Sequence, residues 1–183
     1  MHSAPDFSKC ILVCLSATDD TKGKLVRFFT GNTYNHVSIL YKSHFWGKWM
    51  TIQVDNNGVE IIPVYTLLKE NMYNKFYRCG TDLSVGIRNN IDYIGRKYDF
   101  LGVLGIGLKI IIKKLFNKSV KNLLDVASKV FCTEYLIMVM NDSDFSGSDK
   151  IDPSLSEPDD IDAILSKDNS SVEVVVSNLN EFK

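Results

Sequence analysis

Cys132 has a sequence position that could support nucleophilic catalysis. It follows the apolar residues Val130 and Phe131 and begins an apolar stretch, so we expect it in the first turn of a helix. Unpaired N–H groups and the positive end of the helix dipole there favour a thiolate, lower the pKa of the thiol and could hold a developing oxyanion. A free cysteine in an apolar helix is also a common core residue, and position alone leaves this alternative open.

His36 is the candidate base, because histidine is the usual group that takes the proton of a nucleophilic cysteine. The chain has three histidines. His2 lies near the N-terminus and His44 in a predicted turn, whereas His36 lies on a predicted strand, which is rigid enough to position a base. Taken alone, His36 could equally be a core or surface histidine whose hydrogen bonds are satisfied.

A third residue should orient the imidazole by accepting a hydrogen bond from its far nitrogen. The segment WMTIQVD, residues 49–55, alternates as a strand does and places Thr51, Gln53 and Asp55 on one face. Gln53 offers a suitable amide oxygen, whereas Asp55 is charged but adjoins the next turn. Spacing does not decide between Gln53 and Asp55, and a Gln53 that faces solvent is the alternative.

Hydrophobic periodicity predicts the elements that position these residues. Strands are expected at 9–17, 33–42, 49–55, 59–65, 75–80 and 170–177, and helices through Phe29 and at 66–74, 84–97, 108–124, 130–141 and near 159–165. Asn56-Asn57-Gly58 predicts a hairpin turn, since Asn and Gly tolerate positive φ. Pro63 predicts that the returning strand lies at a sheet edge or ends there. The pattern indicates an α+β fold with helices packed on a mostly antiparallel sheet.

Composition excludes several classes of protein. The 183 residues are 45% hydrophobic and 23% charged, as in a globular protein, and we expect one domain over residues 1–183. The 21 Lys and Arg nearly balance the 22 Asp and Glu, so no nucleic-acid partner is expected. Four cysteines are too sparse for a disulfide scaffold. Zinc-ligand spacing and a phosphate-binding glycine loop are both missing, so we expect no metal and no cofactor.

The charges are distributed unevenly along the chain. Residues 100–129 are expected to form an apolar and basic insertion, in which Lys109, Lys113 and Lys114 could contact an anionic membrane surface. Residues 142–183 are expected to form an acidic C-terminal segment that ends in a strand. The N-terminus lacks the pattern of a secretion signal, so we expect a cytoplasmic location, or the host cytoplasm for a viral or phage protein.

Five segments together resemble a known superfamily. They are TGNTYNHVSILY, TIQVDNNGVEIIPV, YDFLGVLG, FCTEYL and DPSLSEPDDIDAIL followed by VEVV. In this order they resemble the His motif, the following hairpin, the Tyr-Asp motif, the nucleophile motif and the chain ending of the circularly permuted NlpC-type papain-like cysteine hydrolases, in the YiiX-like branch. The resemblance covers roughly residues 9–176 and places the histidine before the cysteine, the reverse of the order in papain.

The resemblance implies a papain-like sheet packed against the helix that carries Cys132. It implies Cys132 as nucleophile and His36 as general base. Gln53 stands where relatives often carry Glu; an amide can orient the imidazole but does not stabilise imidazolium as a carboxylate does. Tyr34 in the His motif and the pair Tyr98 and Asp99 are the expected substrate-side residues, with a structural role as the alternative for Tyr98 and Asp99.

The function implied by the resemblance is acyl transfer through a thioester. The leading hypothesis is a peptidase or amidase type of cysteine hydrolase that acts on a peptide-like or acylated substrate. One alternative is a catalytically weak papain-like domain used for binding, as the amide at position 53 suggests. The other is a lipid acyltransferase or thioesterase of the same superfamily.

Overall fold

The computed structural model describes residues 11–18, 23–24, 27–28, 31–55, 57–69, 71–97, 130–174 and 182. The expected insertion at 100–129 and the helix expected at 108–124 lie outside these ranges, as do Tyr98, Asp99, Lys109, Lys113 and Lys114. None of the helices within the described ranges is long and apolar enough to cross a membrane.

The described strands form one six-stranded sheet in the order β4-β3-β2-β1-β5-β6, and every neighbouring pair is antiparallel. The strands are β1 (Ile11–Thr18), β2 (His36–Lys42), β3 (Trp49–Asp55), β4 (Gly58–Pro63), β5 (Asn71–Arg78) and β6 (Val172–Val174). The chain forms β1 to β4 as successive antiparallel neighbours, and β5 then returns to the other side of β1. The sequence prediction of an α+β fold with an antiparallel sheet is confirmed.

The helices among the described residues lie on both faces of this sheet. They are α1 (Val64–Lys69), α2 (Ser84–Asn89), α3 (Cys132–Asn141) and α4 (Pro158–Lys167), with 3₁₀ turns at Ile91–Tyr93, Ser148–Lys150 and Pro153–Leu155. Gly23, Lys24, Arg27 and Phe28 are also helical, within the helix expected to end at Phe29.

Strand alternation divides the core into two clusters. Val37 and Ile39 point to the face covered by α3, where they pack in the same cluster as Tyr135 and Leu136. Leu40 and its neighbours on the opposite face pack with Val64 of α1 and with Phe182. Because successive side chains of a strand alternate, His36 belongs to the face of Ser38 and Leu40. The α3 helix therefore covers the other face, so the Cys132 thiol and the His36 side chain can approach each other only around the end of the sheet where β2 begins.

The β3–β4 hairpin is fixed against the turn that follows α2. Gly58 has φ of 108°, and a Cβ at this position would lie 1.9 Å from the carbonyl oxygen of Arg96. Val59 N–H donates to that oxygen at 2.9 Å, and Gly95 N–H donates to the Val59 carbonyl at 2.7 Å. Glycine is therefore required at position 58 both for its backbone conformation and for the close approach.

Two expected helices differ from the structure. The helix expected at 66–74 is Val64–Lys69 instead, because Asn71–Arg78 pairs with β1 as strand β5. The helix expected at 84–97 ends at Asn89. At the next residue, the Asn90 side chain donates to the Gly86 carbonyl at 2.9 Å and to Asp142 at 2.7 Å, and the chain continues as a 3₁₀ turn. Asparagine side chains compete with regular helical hydrogen bonding in this way.

We expect Gly86→Ala to destabilise the protein by about 1–3 kcal/mol, the usual cost of adding a methyl group to a packed site. A Cβ at Gly86 would lie 1.9 Å from the Val139 carbonyl oxygen, so α2 and α3 would have to separate. Denaturant unfolding measures the effect. The control is Val85→Ala in the same helix, because Val85 is exposed and should change stability by less than about 0.5 kcal/mol. Equal effects of the two substitutions would contradict the close packing of α2 on α3.

Candidate active site

Cys132 is the first residue of α3, as the sequence predicts, and its thiol lies among backbone N–H groups. Phe131 precedes the helix in an extended conformation and is buried. The N–H groups of Val37, Thr133 and Cys132 itself lie close enough to the sulfur to favour its charged form. Two of these donors belong to the start of α3 and the third to β2. The thiol therefore joins the start of α3 to the second residue of β2.

The strand pairing explains why the thiol can contact β2 at this point. The β1–β2 pairing extends to Ser16 opposite His36, whereas the β2–β3 pairing begins only at Ser38 opposite Gln53. His36 and Val37 thus extend beyond the part of β2 that is paired with β3. This leaves room at the first two residues of β2, and the thiol of Cys132 occupies it.

The His36 side chain is hydrogen-bonded to Gln53, one of the two residues that the sequence proposed for this role. Burial is the main influence on His36 and lowers the pKa of its imidazole below 6.5; the Gln53 hydrogen bond and the charge of Asp55 oppose this shift. Because Nε2 of Gln53 donates to Glu60, the amide oxygen is the end of Gln53 that remains to accept from the imidazole. Asp55 acts on His36 through charge, and its carboxylate accepts from Asn57 N–H at 2.7 Å.

Gln53 is also connected to the outer strand of the sheet. It is buried, lies opposite Glu60 in the β3–β4 pairing, and donates from Nε2 to Oε1 of Glu60 at 2.8 Å. The side chains of His36, Gln53 and Glu60 therefore form a continuous chain of hydrogen bonds across β2, β3 and β4.

The N–H groups at the start of α3 lower the pKa of Cys132 as expected, but the net pKa is nevertheless raised. Burial of the thiol is the largest effect and raises its pKa above 9.0; the N–H groups of Val37, Thr133 and Cys132 oppose it without reversing it. Burial also raises the pKa of Cys79, to about 12. Because the imidazole pKa is lowered and the thiol pKa is raised, Cys132 and His36 are both uncharged at neutral pH.

A short segment from Ser156 to Asp159 holds the two parts of the candidate site together. On one side, Thr133 Oγ1, next to Cys132, donates to the Ser156 carbonyl at 2.7 Å. The other side of the segment contacts the chain that leads into β2. There Glu157 accepts from Asn32 Nδ2 at 2.8 Å, and the Asp159 carboxylate accepts from the N–H groups of residues 33 and 34.

Asn35 anchors the residue immediately before His36 to the end of β1. Its Oδ1 accepts from Thr18 N–H at 2.9 Å and from an Arg27 guanidinium nitrogen at 2.8 Å, while its Nδ2 donates to Thr18 Oγ1 at 2.9 Å. Because the amide uses both its donor and its acceptor, the backbone that enters β2 is fixed in position.

The proposed site residues thus divide into those the structure places and those it does not describe. Cys132, His36 and Gln53 lie around the first residues of β2, and Tyr34 is partly buried against the α3-side cluster. Tyr98 and Asp99 lie outside the described residues. The roles of all these residues in binding or catalysis stay predictions.

Sequence reasoning missed Glu60 and the segment 156–159. Glu60 could have been found, because a two-residue turn between Asp55 and Gly58 places residue 60 opposite Gln53. The contacts of Ser156, Glu157 and Asp159 have no such signal, since they join parts of the chain more than 20 residues apart.

No protein-family model matches the sequence, and no curated protein matches it significantly. Among solved structures, the chain is similar to the metalloprotein YiiX from Escherichia coli O157:H7, with 12% identity and a TM-score of 0.53. The match covers 90% of this chain and 94% of that one. This likeness shows the fold alone: the chain shares the α+β architecture of YiiX.

The described residues do not provide a metal centre at the candidate site. YiiX is described as a metalloprotein, which raises the question of whether this site fits a metal ion. Among the described residues, no group of three or more His, Cys, Asp or Glu side chains could hold a metal ion. His36 and Cys132 could offer two ligands, but the neighbouring Gln53 offers an amide whose Nε2 is already committed to Glu60. These residues therefore do not fit a metal ion.

The protonation states predict how Cys132 reacts with iodoacetamide. Because its pKa is raised above 9.0, the alkylation rate of Cys132 should increase about tenfold per pH unit from pH 6 to pH 9, without a plateau. Alkylation at each cysteine is measured by peptide mass spectrometry, with Cys79 as the internal comparison. A plateau in the Cys132 rate near pH 6–7 would contradict this result, because it would reveal a preformed thiolate.

The contacts of the segment 156–159 predict the effect of replacing Thr133. Thr133→Val keeps the shape of the side chain but removes the donor to the buried Ser156 carbonyl, so stability should fall by about 1–3 kcal/mol. Hydrogen exchange at residues 32–37 should also increase, because the same segment holds the chain before β2. The control is Ser166→Ala on the exposed side of α4. Increased exchange confined to α3 would show that the segment does not couple the two parts.

Proposed function

We propose that the protein is a cysteine hydrolase of amide or ester bonds, with Cys132 as the nucleophile and His36 as the general base. The observation that carries the proposal is the contact of the Cys132 thiol with Val37 N–H, directly after His36, at the start of a helix. The YiiX-like fold supports it, as does the resemblance of the motifs to permuted NlpC-type enzymes. His36, Val37 and Cys132 all lie where β2 begins.

The uncharged resting pair favours general-base catalysis over a preformed ion pair. An imidazole with a lowered pKa is neutral at pH 7 and can accept a proton. A thiol with a raised pKa keeps its proton until it attacks. His36 therefore takes the proton of Cys132 as the sulfur forms its bond to the substrate carbonyl.

The reaction proceeds in two steps. In the first, the Cys132 sulfur bonds to the carbonyl carbon, the carbon–nitrogen or carbon–oxygen bond breaks, and protonated His36 gives its proton to the leaving amine or alcohol. In the second, His36 takes a proton from water, the water oxygen bonds to the thioester carbon, the carbon–sulfur bond breaks, and His36 returns the proton to the sulfur. The products are a carboxylic acid, the leaving group and the regenerated thiol.

The N–H groups around the sulfur supply electrostatic stabilisation. Those of Cys132, Thr133 and Val37 lie around the sulfur, and in the proposed reaction they donate to the substrate oxygen, which comes next to the sulfur once the carbon–sulfur bond has formed. Backbone donors in a partly buried position stabilise such an oxyanion without reorganising. The contact with β2 thus contributes a donor that the helix start alone would not have.

The substrate that we propose is peptide-like or acylated, and Tyr34, Tyr98 and Asp99 are its proposed contacts. Lys109, Lys113 and Lys114 are proposed to contact an anionic membrane surface, which would also suit a lipid acyltransferase or thioesterase. The proposed location is the cytoplasm, of the host in the case of a viral or phage protein.

A second candidate function is a binding domain with little or no hydrolase activity. Two observations favour it: the pKa of Cys132 is raised, and the group that contacts His36 is the amide of Gln53. Both reduce the reactivity expected of the pair relative to a thiolate that faces an imidazolium. The same experiment distinguishes the two functions.

An activated ester tests the proposal independently of the natural substrate. With p-nitrophenyl acetate, we expect a burst of p-nitrophenol and an acetyl group on Cys132 that intact-protein and peptide mass spectrometry detect. Cys132→Ala should abolish the burst, and His36→Ala should slow acylation by about 100-fold, the usual contribution of a general base. The matched control is His44→Ala, which replaces an exposed histidine in the β2–β3 turn. Equal rates for the two histidine variants would leave the binding domain as the better description.

A further inference from the structure

Glu60 lies at the outer end of the hydrogen-bond chain that starts at His36. Gln53 pairs directly with Glu60 across β3 and β4, so the two side chains share a sheet face. Their hydrogen bond, from Nε2 of Gln53 to Oε1 of Glu60, is 2.8 Å long and lies partly buried. The sequence resemblance suggests a carboxylate at position 53, and the structure has one on the next strand.

The carboxylate decides which end of the Gln53 amide faces His36. A glutamine amide has an oxygen that accepts and a nitrogen that donates, and the two ends have nearly the same shape. A carboxylate oxygen only accepts, so Glu60 must face the nitrogen of Gln53. The amide oxygen of Gln53 then points toward His36, where it accepts a hydrogen bond from a ring N–H. Without Glu60, the amide could rotate and present its nitrogen to the imidazole.

The other charged groups around His36 do not perform this task. The charge of Asp55 raises the pKa of His36, but the Asp55 carboxylate accepts its hydrogen bond from Asn57 N–H in the hairpin turn. The residue opposite His36 on β1 is Ser16, which does not titrate. From α3, Cys132 is the titratable group nearest to the start of β2, and its thiol contacts backbone N–H groups.

We propose that Glu60 is a positioning residue that fixes the Gln53 amide, so that Gln53 holds one tautomer of His36 with the other ring nitrogen free to accept a proton. The catalytic part of this inference rests on the proposed function, whereas the orientation of His36 does not. A base must present an unprotonated ring nitrogen to the thiol. The hydrogen bond that the other ring nitrogen donates determines which nitrogen is unprotonated. Glu60 thus acts on the reaction only through Gln53.

Nitrogen-15 NMR of the imidazoles tests the orientation directly, with His36→Ala used to assign the His36 signals. In the unmodified protein we expect one dominant His36 tautomer. Glu60→Ala should populate both tautomers, whereas Glu60→Gln should restore one, because the new amide oxygen can accept from Gln53. Asp55→Asn is the matched control, since it removes a charge that acts on His36 but leaves the hydrogen-bond chain intact. An unchanged tautomer in Glu60→Ala overturns the proposal.

The acylation rate of Cys132 by p-nitrophenyl acetate gives the second measurement. Glu60→Ala should slow acylation roughly tenfold, a typical effect of removing a partner that orients a site side chain, and Glu60→Gln should recover most of the rate. In a Gln53→Ala background, Glu60→Ala should cause no further loss. An equal loss in both backgrounds overturns the action through Gln53.

The two measurements separate failure of this inference from failure of the proposed function. If the unmodified protein does not acylate Cys132, the hydrolase proposal fails, and the NMR spectra still decide whether Glu60 orients His36. If acylation occurs but Glu60→Ala changes neither the tautomer nor the rate, the hydrolase proposal stands and the role of Glu60 is rejected.

Discussion

The start of β2 is the constraint on which the candidate site depends. His36 and Val37 lie beyond the part of β2 that β3 pairs with. The Val37 N–H group and the His36 side chain therefore lie at the same end of the sheet. The Cys132 thiol contacts the N–H of Val37. Asn35, the residue before His36, is hydrogen-bonded to Thr18 at the end of β1, so the backbone on both sides of His36 is held in place.

Burial sets the protonation of the site more strongly than local charges do. It raises the pKa of the Cys132 thiol against three N–H donors and lowers the pKa of the His36 imidazole against Gln53 and Asp55. A charged thiolate–imidazolium pair would have to be desolvated in the same space. The uncharged pair avoids that cost.

The acidic C-terminal segment has a structural role that its composition does not reveal. Its residues from Ser156 to Asp159 connect the first turn of α3 to the chain before β2. The acids Glu157 and Asp159 accept hydrogen bonds from an amide and from backbone N–H groups. A segment that looks like a solvated acidic stretch therefore provides acceptors at the point where the two parts of the site meet.

The sequence by itself determined the local elements: the alternation of β2 and β3, the Asn-Asn-Gly hairpin and the start of a helix at Cys132. These follow from side-chain periodicity and turn chemistry over a few residues, which is why the α+β fold could be anticipated and the partner of His36 could be narrowed to Gln53 or Asp55. Only the tertiary structure decided the direction of the Cys132 pKa shift and the connection of Asn32 to Glu157. Both depend on which distant segments become neighbours, here residues 125 positions apart, and short-range patterns do not carry that information.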